Sequence, residues 1–398
     1  MSERAAGEAR YSREAVLERA RRLAPALRER AARTSRERRV PEETIRDLWD
    51  ADLWYLLKPK KFGGPELRPD VMYEAAAELG RGDGSAAWVY SIVSIHDLFL
   101  ANYPEQAQRE YWERPTLSAS SFAPGGKATP AGDGFVLSGK WTFCSGVDSA
   151  EWMILGAVFG MLDTQPPRPD IRFVLLPRSD CRIVDDWHVF GLRGTGSKSV
   201  VVEGAKIPPH RMVGLGAVST GTAPGAAVHP SPLYKVPLWA VFPFTISAPA
   251  AGIARGAFET FCAEMRGRES VFGHEALAKK AGVQMRIAEA GALIDAAQLL
   301  YLRSLRETMD RIFAGEELSL EHRVRSRRDQ AYSVDMAKRA AELLFNAQGG
   351  HGLHDDNPVQ RAFRDLEAVQ AHIVGCWDVP ALNYGQVMLG VPPADPFY

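Results

Sequence analysis

Cysteine is scarce and scattered in this chain of 398 residues. The four present, Cys144, Cys181, Cys262 and Cys376, form no C-x-x-C pair, which argues against a zinc site and against a disulfide framework. No apolar run approaches the length of a bilayer span, and Met1 is followed by SERAAGEAR rather than by a charged and then apolar leader. The protein is therefore expected to be cytoplasmic, with no membrane partner. Charge of one sign is missing as well. With 48 Lys and Arg against 49 Asp and Glu, the net charge is −1, and no global field draws the chain to nucleic acid. Arginines are dense between Arg13 and Arg39, but interleaved glutamates give a solvated helical face instead of a polyanion site. No G-x-G-x-x-G follows a strand: Gly191, Gly194 and Gly196 lie in GLRGTG within a β-type segment, so no site for NAD(P)H is evident.

What is present divides by periodicity. Residues 1–115 read as a helical domain, with apolar positions three and four apart at Val16, Leu17, Ala20, Leu23 and Leu27 and again at Ile45, Leu48, Leu53 and Leu56. The stretch Ser85 to Leu100 is apolar nearly all round and is expected to be buried. His96 sits inside it, and its plainest reading is a core histidine satisfied by a backbone or carboxylate partner. Residues 116–213 change to short β-type runs between glycines, the spacing of an antiparallel barrel. Residues 214–243 are too rich in Pro, Gly and Ala for helix or sheet and read as a loop over a cavity, with Tyr234, Trp239 and Phe242 as aromatic contact surface. An ordered surface loop or subunit arm is the competing reading. Residues 244–398 carry four long helical patterns, Phe244 to Arg266, His274 to Ala314, Leu318 to Gln348 and Asn357 to Leu389, expected to form a four-helix bundle. Helices first and strands after them make an α+β fold in separate layers.

Two strings carry chemistry. In the β segment, Gly139 to Gly146 reads GKWTFCSG, where Trp141 at a strand end can shield an aromatic face and Ser145 can approach a polar edge. Ser118, Ser120 and Ser121 on the preceding run are further candidates. About two hundred residues later, Gln348 to Pro380 joins the glycine turn Gly349, Gly350 and Gly352 to a helix carrying Arg361, Arg364 and Asp365, with His372 two turns on.

These strings, in this order, resemble the acyl-CoA dehydrogenase superfamily: a GG turn, a P-x-x-R and an R-D that close a flavin site between subunits, and a flavin strand of the W-x-F-x-S-G form. Where the dehydrogenases often place a catalytic Glu, this chain reads His372-Ile373-Val374. The pattern is similar to the two-component flavin monooxygenases, the group of 4-hydroxyphenylacetate and secosteroid-phenol hydroxylases. That resemblance implies an oxygenase using reduced FMN or FAD, delivered by a separate NAD(P)H:flavin reductase, and O₂ through a C4a-hydroperoxide to hydroxylate a small phenol-like aromatic. It also implies a homotetramer. By the same resemblance His372, Ser145 and His96 are the catalytic residues. Trp141, Phe143, Ser145, Ser120, Arg266, Arg268, Gly349 and Gly350 are expected to contact flavin, and His372 and His96 the substrate, with Tyr234 and Trp239 of the 214–243 loop as its expected aromatic contacts. Arg266 and Arg268 stand one register off the R-x-x-F-G pattern before Phe272 and Gly273. Oxygenation at nitrogen or sulfur, or an acyl-CoA dehydrogenase-like flavoprotein, are the alternatives.

Overall fold

The computed structural model describes residues 9–270 and 275–394. Helix α1 (Arg13–Glu37) begins at Ser12, whose Oγ accepts the Ala15 N–H at 3.2 Å, and stops where Arg38 turns left-handed at φ 54°. Its apolar stripe, Val16, Leu17, Ala20, Ala24 and Leu27, is buried, and its flank pairs Arg13 with Glu74 and Arg21 with Glu78. Helices α2 (Glu42–Asp50) and α3 (Pro69–Gly80) follow, then α4 (Gly84–Ser94), α5 (His96–Leu100) and α6 (Glu105–Trp112). Asp83 caps α4 by accepting the N–H groups of Ser85 and Ala86. Every residue of α4 and α5 is buried, as their all-round apolar composition requires.

Seven strands form one sheet: β1 (Ser118–Ala131), β2 (Gly134–Cys144), β3 (Trp152–Leu162), β4 (Arg168–Pro177), β5 (Arg182–Val184), β6 (Lys198–Ile207) and β7 (Met212–Gly214), in the order β5-β6-β2-β1-β3-β4-β7. The sheet is mixed, not uniformly antiparallel as the turn spacing implies. Strand β3 runs parallel to β1, pairing Trp152 with Ser118, while the remaining pairs are antiparallel. The physical reason is the connection after β2. Residues 145–151 cross the end of the sheet through a short 3₁₀ turn, Val147–Ser149, so β3 enters beside β1 in the same direction.

Residues 214–243 are not without structure. They fold into α7 (Leu215–Thr220), two single 3₁₀ turns and α8 (Leu238–Val241). Proline does this: Pro224 and Pro232 each occupy the first turn of a 3₁₀ element, where the absent N–H costs nothing, and Pro237 stands at the cap of α8.

The remaining helices are α9 (Phe244–Gly267), α10 (Ala281–Phe313), α11 (Leu320–Ala347), α12 (Pro358–Ala371) and α13 (Asp378–Met388). The small residues of α9 allow it to sit on α3: a side chain on Gly252 would come 2.1 Å from the Ala77 carbonyl. The last pattern is two helices, not one. At His372 the backbone turns extended, φ −69° and ψ 138°, and Gly375 folds back against the Val369 carbonyl. Helix α10 begins at Ala281, later than expected, because Glu269 pairs with Ala276 in an isolated bridge. Its expected start, His274, lies outside the described residues. Among the described residues no helix is long and apolar enough to cross a membrane, and no group of His, Cys, Asp and Glu is placed to hold a metal ion.

Candidate active site

The site begins with a break in a strand. Strand β2 slips register against β6 between Trp141 and Cys144, and within that slip Phe143 takes φ 63°, a conformation unfavourable for an aromatic residue. The Ser145 N–H then donates to the Phe143 carbonyl at 3.0 Å, and the Gly146 N–H to the Thr195 carbonyl at 2.9 Å. The distortion turns Ser145 towards α4 and leaves the Phe143 ring 65% exposed, 5.8 Å from the ring of Trp187. Strain of this kind persists only where surrounding contacts hold it.

Ser145 Oγ receives the Trp88 indole N–H at 3.1 Å and lies 2.7 Å from Ser197 Oγ. Trp88, on α4, makes a T-shaped contact with the imidazole of His372, ring centres 5.6 Å apart and planes at 71°. So one indole joins the strand-end serine to the histidine beyond α12. The break between α12 and α13 sets the state of that histidine. Nδ1 of His372 accepts the Val374 N–H at 3.2 Å, so the ring hydrogen is on Nε2, which has no hydrogen-bond partner among the described residues. Burial, with the Arg327 charge adding to it, lowers the His372 pKa to about 4. The imidazole is neutral at pH 7 and offers an N–H.

His96 is fully buried on α5, eight residues and about 12 Å of helix rise from Trp88. Its Nδ1 lies 3.0 Å from Ser118 Oγ and 3.1 Å from the Ser118 carbonyl; the hydroxyl can give or receive but the carbonyl can only accept, so the arrangement that satisfies both puts the hydrogen on Nδ1. Nε2 then accepts from Ser120 Oγ at 2.9 Å. Both nitrogens are occupied, and burial lowers the pKa to about 4, so His96 is a neutral holder of Ser120 that has no free nitrogen for substrate.

The R-D pair of α12 acts on the GLRGTG loop. Asp365 Oδ1 accepts the Leu192 N–H at 2.6 Å, Arg364 donates to the Phe190 carbonyl at 3.1 Å, and a side chain at Gly191 would lie 1.8 Å from the Arg364 carbonyl. Burial raises the Asp365 pKa to about 6, with the nearby Asp83 carboxylate adding to the rise. The loop so held carries Thr195 and Ser197 to Ser145.

Other expected residues are placed differently. Trp141 is buried inside the sheet with its indole N–H on the Gly156 carbonyl at 2.6 Å, so neither ring face is open to a cofactor. Its position on the inward side of β2 decides this, since residues alternate faces along a strand. Tyr234 is also core: its hydroxyl donates to the Leu57 carbonyl at 2.9 Å and its ring packs 4.6 Å from His229. Trp239 is half-buried and joins the His96 region through a row of rings, Trp239 to Phe242 at 6.1 Å, Phe242 to Phe122 at 5.0 Å and Phe122 to His96 at 6.5 Å. Arg268 donates to Gln348 Oε1 at 2.9 Å and so adjoins the exposed turn of Gly349 and Gly350, whereas Arg266 is exposed on the last turn of α9. Phe272 and Gly273 lie outside the described residues. The glycine turn precedes α12 and His372 follows it, and the 14 residues of that helix rise about 21 Å. A groove of about 570 Å³ between β5 and β6, lined by Cys181, Val201 and Lys206, shares no residue with this site.

Sequence reasoning missed Trp88, Thr195 and Ser197. A Trp in an all-apolar helix is indistinguishable from core by pattern, and the loop hydroxyls lie in and just after a glycine motif that has no phosphate context. The assembled groups fit a flavin. Phe143 and Phe190 leave broad aromatic surface exposed, 65% and 60%, and Ser145 adds a buried hydroxyl within two residues of Phe143.

Two family models match the chain: the acyl-CoA dehydrogenase N-terminal domain over residues 11–120 and the acyl-CoA dehydrogenase C-terminal domain over residues 244–376. The chain is 36% identical over 377 residues to the flavin-dependent monooxygenase oxygenase subunit HsaA of Rhodococcus jostii, covering 94% of this chain and 98% of that protein. It is 36% identical to the oxygenase component of an FADH₂-dependent resorcinol hydroxylase from a Rhizobium species, covering 93% of each. Among solved structures, the HsaA monooxygenase of Mycobacterium tuberculosis superposes with a TM-score of 0.90 at 35% identity, covering 97% of this chain and all of that one.

Proposed function

The chain belongs to the acyl-CoA dehydrogenase family, among its flavin-dependent monooxygenase oxygenase subunits, and on that footing we propose that it is the oxygenase component of a two-component system hydroxylating a phenol-like aromatic. The overall reaction takes the phenol, O₂ and reduced flavin to a dihydroxy product, oxidised flavin and water. When bound, the reduced flavin supplies both electrons and carries the oxygen to be transferred. A separate reductase regenerates it, which suits a chain with no dinucleotide fingerprint of its own.

The observation that carries the reading is the Ser145–Trp88–His372 contact. Ser145 would meet the N5 edge of a bound flavin and Phe143 its ring, with Ser120 held in place by His96. His372 faces the substrate with Nε2–H and donates to its oxygen, which favours the phenolate and directs electron density to the adjacent carbon. The apolar residues around Trp88 keep water from this region. Gly349 and Gly350, with Arg268 bonded to Gln348 beside them, precede α12, and that helix's rise of about 21 Å lies between its start and His372 of the same chain. They serve the phosphate end of a flavin bound across a subunit boundary. The segments 1–115, 116–213 and 244–398 act as three domains, with 214–243 bearing on the cavity through Trp239. Exposed Met285 and Leu299 on α10, and Ile373 and Leu389 near α13, supply apolar surface for a homotetramer. The protein works in the cytoplasm, where its reductase partner draws on NAD(P)H.

The test is oxygen uptake and product analysis with purified protein. Hydroxylated product formed from a phenol only when chemically reduced FMN or FAD is supplied supports the reading. Tightly bound oxidised FAD and acyl-CoA oxidation would defeat it.

A further inference from the structure

The hydrogen-bond partners of Ser145 determine which way its hydroxyl points. A Ser or Thr hydroxyl has one proton to give and two lone pairs to receive with. The chain of bonds can be followed from its backbone end. The Leu192 carbonyl can only accept, and Thr195 Oγ1 lies 2.9 Å from it, so the Thr195 proton is committed there. That carbonyl also receives the Trp187 indole N–H at 3.2 Å. Thr195 Oγ1 is 2.7 Å from Ser197 Oγ, and with the Thr195 proton already used, Ser197 must be the donor in that pair. Ser197 Oγ is 2.7 Å from Ser145 Oγ, and the same count makes Ser145 the donor. On its other side Ser145 receives the Trp88 N–H, and indole nitrogen is a donor only. One proton and one lone pair of Ser145 are therefore spent, and a single lone pair is left. All four side chains are buried, so no bulk water competes for these bonds.

We infer that Ser145 meets the cofactor solely as a hydrogen-bond acceptor, that Thr195 and Ser197 are the positioning residues imposing this polarity, and that the site thereby selects reduced over oxidised flavin. Reduced flavin carries a hydrogen on N5 and can donate it to the open lone pair. Oxidised flavin presents a lone pair at N5, and two lone pairs repel. The loop that performs this selection is the one Asp365 holds through the Leu192 N–H. The inference rests on the proposed function, specifically on Ser145 facing N5.

The test is binding, not turnover. Dissociation constants for reduced flavin, titrated anaerobically, and for oxidised flavin, titrated in air, are measured with FMN and FAD on the wild type, Ser197→Ala, Thr195→Val and Thr195→Ser. Removing either relay hydroxyl frees Ser145 to donate to N5. Ser197→Ala and Thr195→Val should each tighten oxidised-flavin binding about fivefold, the worth of one hydrogen bond, and so narrow the preference for the reduced form. Thr195→Ser keeps the relay and should retain the wild-type ratio. A ratio unchanged in both relay variants, or narrowed equally by Thr195→Ser, overturns the inference while leaving the monooxygenase reading intact. Wild-type protein that binds neither form overturns both.

Discussion

Trp88 gives its indole N–H to Ser145 at 3.1 Å while its ring packs T-shaped against His372, whose centre is 5.6 Å away. These contacts set the hydroxyl proposed to face the flavin and the imidazole proposed to face the substrate on one side chain of a buried helix. Replacing the indole therefore separates two effects. Trp88→Phe keeps the ring against His372 and loses the N–H, and it should lower coupling of reduced-flavin oxidation to product with little change in stability. Trp88→Ala removes a buried indole and should cost about 3–5 kcal/mol, read from the denaturant midpoint.

His372→Ala should reduce product formation roughly 10- to 100-fold, the worth of a charge-assisted donor to a phenolate oxygen. Oxygen uptake with reduced flavin should persist, with the oxygen recovered as hydrogen peroxide. Equal loss of uptake and product would contradict a role confined to the substrate.

The two depressed histidines give a pH signature. His96 and His372 are neutral in the fold with pKa values near 4, against about 6.5 when unfolded. Above pH 6.5 neither state binds the proton and these groups have no effect on the pH dependence. As pH falls from 6.5 to 4, the unfolded chain takes up protons that the fold refuses, so stability declines. His96→Gln should flatten part of that decline in melting temperatures measured between pH 7 and pH 4.

Asp365→Ala should cost about 1–3 kcal/mol, because the Leu192 N–H loses its acceptor in a buried setting. Faster hydrogen exchange at residues 190–197 than elsewhere would locate the effect in the loop. Uniform acceleration over the whole chain would contradict a local clamp.

Tyr234→Phe removes the bond to the Leu57 carbonyl and should cost about 1 kcal/mol in thermal or denaturant unfolding, with KM for the aromatic substrate unchanged. A large rise in KM would restore the substrate contact that the sequence pattern implied.

Much of the fold was readable from local periodicity. The apolar stripe of α1, the buried α4 and α5, the strand runs of the sheet and the small-residue face of α9 all repeat over a few residues, and their burial follows the repeat. The reading failed where two elements with the same period join. The pattern from Asn357 to Leu389 is continuous, but Gly375 folds onto the Val369 carbonyl and divides it. In the β segment, alternation marks strands but says nothing about direction, so the parallel pairing of β1 with β3 was out of reach.

By itself, the amino-acid sequence determined the order of helical and β segments, the glycine turn followed by R-D, the imidazole at position 372 in place of a carboxylate, and hence the family. Tertiary structure alone decided which polar atoms meet. Trp88 and Ser145 are 57 residues apart and Leu192 and Asp365 are 173 apart, and no local repeat encodes such pairs. The tautomers of His372 and His96 and the direction of the Thr195–Ser197–Ser145 hydroxyls depend on those meetings, because a proton's position is set by the partner that packing brings to it.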